Sequence, residues 1–540
     1  MKSISRHIVD IPNKRIYKGI VYFDNKIQNI EPADHVADQY ILPGFIDAHV
    51  HIESSMLVPS EFARLAVVHG TVATVSDPHE IANVMGVKGV YFMIENGEKT
   101  PFKFNFGAPS CVPATKFETA GAEINADEIA SLLKDERIKY LAEMMNWPGV
   151  LHNDKDVFNK IESAKRLSKP IDGHAPGLKG ENASAYTSAG ISTDHECFTI
   201  EEALDKLNAG MKILIREGSA AKNFEALADL INDFEDYTMF CSDDKHPDNL
   251  VEHHINDLVK RAVAKGIDLF KVLKTACINP MVHYGLEVGI LRSGDAADFI
   301  IVENLSEFKV KRTYINGKLV AEDGSTKIKQ VETSIINNFK VKHKSPDDFI
   351  IKGNSRIFPV IEAMDGQLVT NKLDLPVPLE DGIYSTDPEK DILKIIVLNR
   401  YEDKAPAVAF IRNFGLKRGA IASSVAHDSH NIIAVGVDDV SLAKAVNLII
   451  SAKGGISAVD DNIQKILELP VAGLMSAYDG YEVAKIYSEI DKVAKEMGST
   501  LNSPFMTLSF MALLVIPKLK LSDHGLFNGE KFEYLEMERE

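Results

Sequence analysis

The sequence predicts an α/β chain organised around a (β/α)8 barrel, with a small β domain built from both flanks of the barrel and an additional C-terminal α+β domain. Three observations carry this expectation. Between Ile46 and Asp244 there are eight short β-like runs, each ending in polar residues and most followed by a stretch of helical periodicity. Alternating, hairpin-like segments lie on both sides of that region. The chain has 540 residues, more than the roughly 250–300 that one core usually supports.

Taken in order, Lys18–Ile27 alternates around a turn, and Asp298–Val302 and Tyr314–Val320 repeat the pattern after the barrel. Residues 1–43 and 290–332 are therefore expected to pair into one β domain, with the barrel spanning 44–289. The first four barrel runs finish at His49-Val50-His51, Ser76-Asp77-Pro78-His79, Gly107-Ala108-Pro109-Ser110 and Glu143-Met144-Met145-Asn146. The second four finish at Asp172-Gly173-His174, Thr193-Asp194-His195, Arg216-Glu217-Gly218-Ser219 and Ser242-Asp243-Asp244. A barrel of this kind carries its active site at the carboxyl ends of its strands, where these polar residues fall. The third region, 333–540, reads as α+β, with strand-like Lys394–Leu398 and Ile432–Gly436 and a helical Ser441–Ala452.

Composition narrows the partners. With 60 basic against 78 acidic residues the formal net charge is -18, which repels nucleic acid and anionic lipid surfaces and suits a small neutral or cationic substrate. Hydrophobic residues at 45% and charged residues at 26% are ordinary for a globular protein. Cys111, Cys197, Cys241 and Cys277 show no C-x-x-C spacing, so neither a thiolate metal site nor a disulfide framework is expected. The apolar run Phe505–Ile516 is shorter than the roughly 20 residues of a membrane span and is broken by Thr507 and Ser509. A cytoplasmic enzyme is the expectation, and self-association is left open.

His49 and His51 flank one residue at a strand end, so both imidazoles project to the same side and form half a metal site. A surface histidine pair on an ordinary strand has the same spacing. Adding Glu143, His174, His195 and Asp243 from the ends of other strands changes the balance, because six potential ligands converge on one end of one barrel. Singly, each also fits a hydrogen-bonded histidine, a helix cap or an ion-pair partner. Four imidazoles and two carboxylates exceed the needs of one cation with open positions, so two divalent cations bridged by a carboxylate are expected, Glu143 being the candidate bridge. Without thiolates the set suits manganese, iron or zinc.

At this point the chain resembles the amidohydrolase superfamily, in Pro43-Gly44-Phe45-Ile46-Asp47-Ala48-His49-Val50-His51, in the strand-end histidines and aspartate, and in Gly294-Asp295-Ala296-Ala297-Asp298-Phe299. More narrowly it is similar to the bacterial adenine deaminases. That similarity rests on His51-Ile52-Glu53-Ser54-Ser55-Met56, Ser76-Asp77-Pro78-His79-Glu80, Gly173-His174-Ala175-Pro176-Gly177, Arg216-Glu217-Gly218-Ser219-Ala220, Cys241-Ser242-Asp243-Asp244 and Ala426-His427-Asp428-Ser429-His430-Asn431. Many binuclear members of the superfamily bridge their metals with a carboxylated lysine on strand four; Glu143 stands there in this chain. The His-x-x-Glu of the mononuclear adenosine deaminases is absent, since Ala175-Pro176-Gly177 follows His174.

The resemblance implies a metal-dependent hydrolase that deaminates adenine to hypoxanthine and ammonia by attack of an activated hydroxide at C6, with two divalent cations, manganese or iron first and zinc third. Asp243 is then the expected proton shuttle and Glu217 a second catalytic group that accepts from a ring N–H or, if protonated, donates to N1. Glu53, Ser55, Asp77 and His79 are expected around the substrate, or orienting the ligands, and Arg216 and Ser219 are expected at the substrate beside Glu217, the alternative being an Arg216–Glu217 pair or a helix cap. His427 and His430 interrupt apolar strand-like sequence and are expected to close over the barrel mouth, the alternative being an exposed turn. The rivals are a cyclic amidase or deacetylase on the same scaffold and a non-catalytic metal-binding protein.

Overall fold

A computed structural model describes residues 1–535; the last five residues of the expected C-terminal domain lie outside the described residues. Strands β1 (Phe45–Val50), β2 (Thr71–Ser76), β3 (Lys103–Ala108), β4 (Ile138–Met144) and β5 (Ile171–Gly173) form a five-stranded parallel sheet in sequence order. A three-stranded parallel sheet continues with β6 (Thr193–Asp194), β7 (Lys212–Arg216) and β8 (Thr238–Cys241). The backbone ties the two sheets together on both sides. Asp243 N donates to His49 O at 2.9 Å and His51 N donates to Asp243 O at 3.3 Å, while Ser192 N donates to Ile171 O at 2.8 Å. Every residue of β1 and β2 is buried, as expected for parallel strands covered on both faces. Asp47, within β1, accepts from Ser242 N at 3.0 Å and from His254 Nε2 at 2.8 Å, which fixes β1 beside the segment after β8.

The flanks meet in one sheet. Ala37–Pro43 pairs antiparallel with Phe299–Val302, in the register Pro43 to Phe299 and Leu42 to Ile300, and joins the hairpin of Lys2–Asp10 and Arg15–Phe23 to the strands 310–315 and 318–322.

After the flanking sheet, Leu393–Leu398 and Ile432–Gly436 pair antiparallel within an eight-stranded sheet that runs from 357 to 468, and the helix Asp439–Ala452 packs on it. All six residues of Leu393–Leu398 are buried because the strand's two faces meet different cores. Leu393, Ile395 and Val397 join the large core that also contains the barrel, whereas Ile396 and Leu398 meet Leu442, Val446 and Ile449 of the helix. A short helix, Pro504–Phe510, is buried throughout. Among the described residues no helix is long and apolar enough to cross a membrane.

Candidate active site

The period of the extended strand turns His49 and His51 to one side, and their Nε2 atoms lie 3.2 Å apart at the end of β1. Asp243 follows β8 in a left-handed conformation, φ 52°, and its Oδ1 is 3.6 Å from His49 Nε2 and 3.2 Å from His51 Nε2. Glu143, near the end of β4, divides its oxygens. Oε1 faces His51 Nε2 at 3.4 Å, and Oε2 faces His174 Nδ1 at 2.9 Å and His195 Nε2 at 3.1 Å. The structure thus brings together all six expected ligands, all buried except the partly exposed His174. His79 and Asp77 belong to the same cluster. His79 Nδ1 is 3.2 Å from Asp77 Oδ2 and 3.3 Å from Glu143 Oε1.

The donor set fits divalent cations. His49 Nδ1, His174 Nε2 and both carboxylate oxygens of Asp77 are buried without a hydrogen-bond partner, and buried polar atoms rarely stay so. Imidazole nitrogens and carboxylate oxygens converge in groups such as His51, Asp77, His79 and Glu143, whose ligand atoms lie within 4.8 Å of one another. The four cysteines are buried. Burial alone would raise the Glu143 carboxyl, but His174, hydrogen-bonded to it, with His195 and His51, holds it well below the usual carboxylate range.

Several expected substrate residues face elsewhere. Glu217 sits 3.0 Å from Arg261 Nη1 and 3.4 Å from Lys222 Nζ, not in the cavity above the cluster. Neighbouring residues of extended backbone point to opposite sides, so Arg216 turns inward as Glu217 turns out. Arg216 reaches the cavity but does not await a purine or pair with Glu217: its guanidinium holds Glu196 and, at 2.5 Å, Asp243 Oδ2. Ser219 Oγ donates to Asn249 Oδ1 at 2.6 Å, and Ser55 Oγ donates to Ile52 O at 2.6 Å, so neither lines the cavity. The amides of Gly218 and Ser219 are taken by Ala221 O and Asp244 O. Glu53 is not among the cavity-lining residues; it accepts from Ile81 N at 3.2 Å, and burial pushes its carboxyl up to about 7.

His427 and His430 come to the strand ends from far along the chain. His427 Nδ1 is 2.8 Å from Glu80 Oε1, and His430 Nε2 meets the other oxygen of the same carboxylate. The cavity that His427 lines has the ligand cluster on one side and Leu368, His427, Asp428, Phe510, Leu513 and Val515 on the other. It encloses about 40 Å³, room for a few waters at roughly 10–15 Å³ each. Sequence reasoning named Asp244 as the next candidate proton carrier after Asp243 and missed Glu80, Glu196, Asp428 and the apolar wall. Glu80 and Glu196 directly follow His79 and His195, a signal of position only, while Phe505–Ile516 was informative as an apolar run without a stated role.

The amidohydrolase family profile matches residues 40–320, and the adenine deaminase C-terminal domain profile matches residues 367–533. An adenine deaminase of Sulfurovum sp. is 57% identical over 532 residues, covering 98% of this chain and 98% of its own. Adenine deaminases of Salinibacter ruber and Borreliella burgdorferi are 53% and 50% identical, each covering 99% of this chain and 98% and 99% of their own.

Proposed function

The chain belongs to the amidohydrolase family, and on that premise we propose that it catalyses the hydrolytic deamination of adenine to hypoxanthine and ammonia. One observation carries the assignment beyond the general fold: the segment matched by the adenine deaminase C-terminal profile supplies the wall of the cavity opposite the ligand cluster. The reacting base is therefore assigned to the space between the two matched regions. A cyclic amidase built on the barrel alone has no need of that wall.

The geometry supports the following roles. His49, His51, Glu143, His174, His195 and Asp243 would hold two divalent cations, with manganese or iron preferred and zinc third; Glu143, whose two oxygens face different histidines, would be shared between them. Such cations supply Lewis acidity that lowers the pKa of water from roughly 16 to about 7. In the reaction a C6–O bond forms and the C6–N bond breaks; one water proton goes to N1 and the second to the departing nitrogen. Asp243 moves the proton to the departing nitrogen, with Oδ1 toward His49 and His51 and Oδ2 anchored by Arg216. Protonation of N1 falls to a group that faces the cavity, which Glu217 does not. Asp77 and His79 orient the ligands, and His427 and His430 hold the closing wall.

We also read the two parallel sheets as one closed (β/α)8 barrel over 44–289, joined by the Asp243 to His49 and Ser192 to Ile171 hydrogen bonds. The flanking sheet is then one small domain, 1–43 with 290–332, and 333–540 is a C-terminal α+β domain. The decisive assay loads purified protein with manganese or iron and follows adenine loss, hypoxanthine and ammonia. Ring opening of dihydroorotate or hydantoin without ammonia release from adenine would replace this assignment with a cyclic amidase.

A further inference from the structure

We propose that Asp428 reads the imidazole edge of the purine, accepting a hydrogen bond from the ring N–H opposite C6, and thereby restricts the site to the free base. This inference rests on the adenine reaction assigned above and adds to it a substrate-discriminating residue.

Asp428 is 4% exposed and lines the same cavity as Glu143 and Asp243. Its Oδ2 is buried without a hydrogen-bond partner. Among the described residues the basic nitrogens near its Oδ1 are His427 Nδ1 at 3.6 Å and His79 Nε2 at 3.9 Å, both beyond hydrogen-bonding distance. A buried carboxylate with an unsatisfied oxygen is costly unless it is held for a donor. The cavity into which it opens is where the substrate must lie.

One imidazole ring, that of His79, separates Asp428 from the cluster: Nδ1 is 3.3 Å from Glu143 Oε1 and Nε2 is 3.9 Å from Asp428 Oδ1. A purine with C6 at the cluster presents its N3 and N9–H edge to the far side, toward the C-terminal wall. Leu368, Phe510, Leu513 and Val515 form the apolar part of that wall and suit the flat face of the ring. Asp428 itself is held in position by its neighbours, since His427 and His430 both grip the Glu80 carboxylate. In a nucleoside, N9 carries the sugar and has no proton. The carboxylate would then be buried against carbon with no donor, and sites built to hydrogen-bond a substrate N–H reject analogues lacking it by about 10⁴–10⁵.

The test compares adenine with 9-methyladenine, which differs at that one nitrogen, in wild type, Asp428→Ala and Asp428→Asn, with metal content and Tm measured on each. The expected result is strong wild-type preference for adenine and a fall of at least about a hundredfold in kcat/KM for adenine in Asp428→Ala. 9-Methyladenine turnover should not fall, so the ratio of the two collapses. Asp428→Asn, whose amide oxygen still accepts, should recover part of the preference, and all three proteins should hold equal metal. An unchanged ratio in folded Asp428→Ala and Asp428→Asn would overturn the inference. So would loss of metal from both, because Asp428 would then be a cation ligand with His79 and Glu80. Wild-type protein that releases no ammonia from adenine would overturn the reaction itself, and the inference with it; wild-type turnover with an unchanged ratio overturns the inference alone.

Discussion

Arg216 Nη1 lies 2.5 Å from Asp243 Oδ2, on the carboxylate oxygen opposite the one that faces His49 and His51. The guanidinium thus holds the carboxylate ionised, with its other oxygen turned toward His49 and His51. Asp243→Asn should keep the fold and at least one cation while lowering kcat by about a hundredfold or more, the usual size of a lost proton carrier. Unchanged turnover in a metal-replete variant would move that role, with Asp244 the next carboxylate facing the cavity.

The same guanidinium also neutralises Glu196. Arg216→Met leaves two buried carboxylates without their cation, and breaking a buried pair from one side costs about 3–5 kcal/mol. Urea unfolding of the metal-free protein should show a loss of that order. A loss below about 1 kcal/mol would mean that water reaches the pair.

His51→Ala and Glu143→Ala should each lose most bound metal and essentially all activity. His51 Nε2 faces both Asp243 and Glu143, and Glu143 faces both sides of the cluster. Elemental analysis of both purified variants decides the matter, normal metal content being the contrary result.

His427→Ala and His430→Ala release the Glu80 carboxylate from the C-terminal segment without touching the six ligands. KM for adenine should rise or kcat fall while metal content stays at the wild-type level. Wild-type kinetics in both would leave the segment without a part in the reaction.

Lys520 offers a pH test remote from the ligands. It is fully buried, and Nζ donates to Leu368 O at 2.6 Å and Phe510 O at 2.9 Å, tying together two residues of the cavity wall. Burial pushes its pKa down to about 7, against about 10.4 in the unfolded chain. Between those values the unfolded chain binds more protons, so this group makes stability rise with pH. Relative to Lys520→Met, wild type should gain stability from about pH 7 to pH 10 in chemical denaturation. A difference that stays flat over that range would show that the amine keeps its charge in the fold.

What the sequence determined by itself was local and periodic. Two residues apart on a strand face the same way, which makes His49 and His51 a pair, and apolar runs ending in polar residues put Glu143, His174, His195 and Asp243 on one rim. Lys394–Leu398 and Ile432–Gly436 were legible as strand-like apolar runs, and the fold buries both faces of each. The outward turn of Glu217 was legible too, from the alternation that places it opposite Arg216, and the motif in which it stands obscured that. Tertiary structure alone decided which charge meets which. Glu196 and Asp243 converge on Arg216, and Glu80 finds His427 and His430 more than three hundred residues away. No local periodicity encodes such pairings, because they depend on how separately formed elements dock and on which buried charges then require a partner.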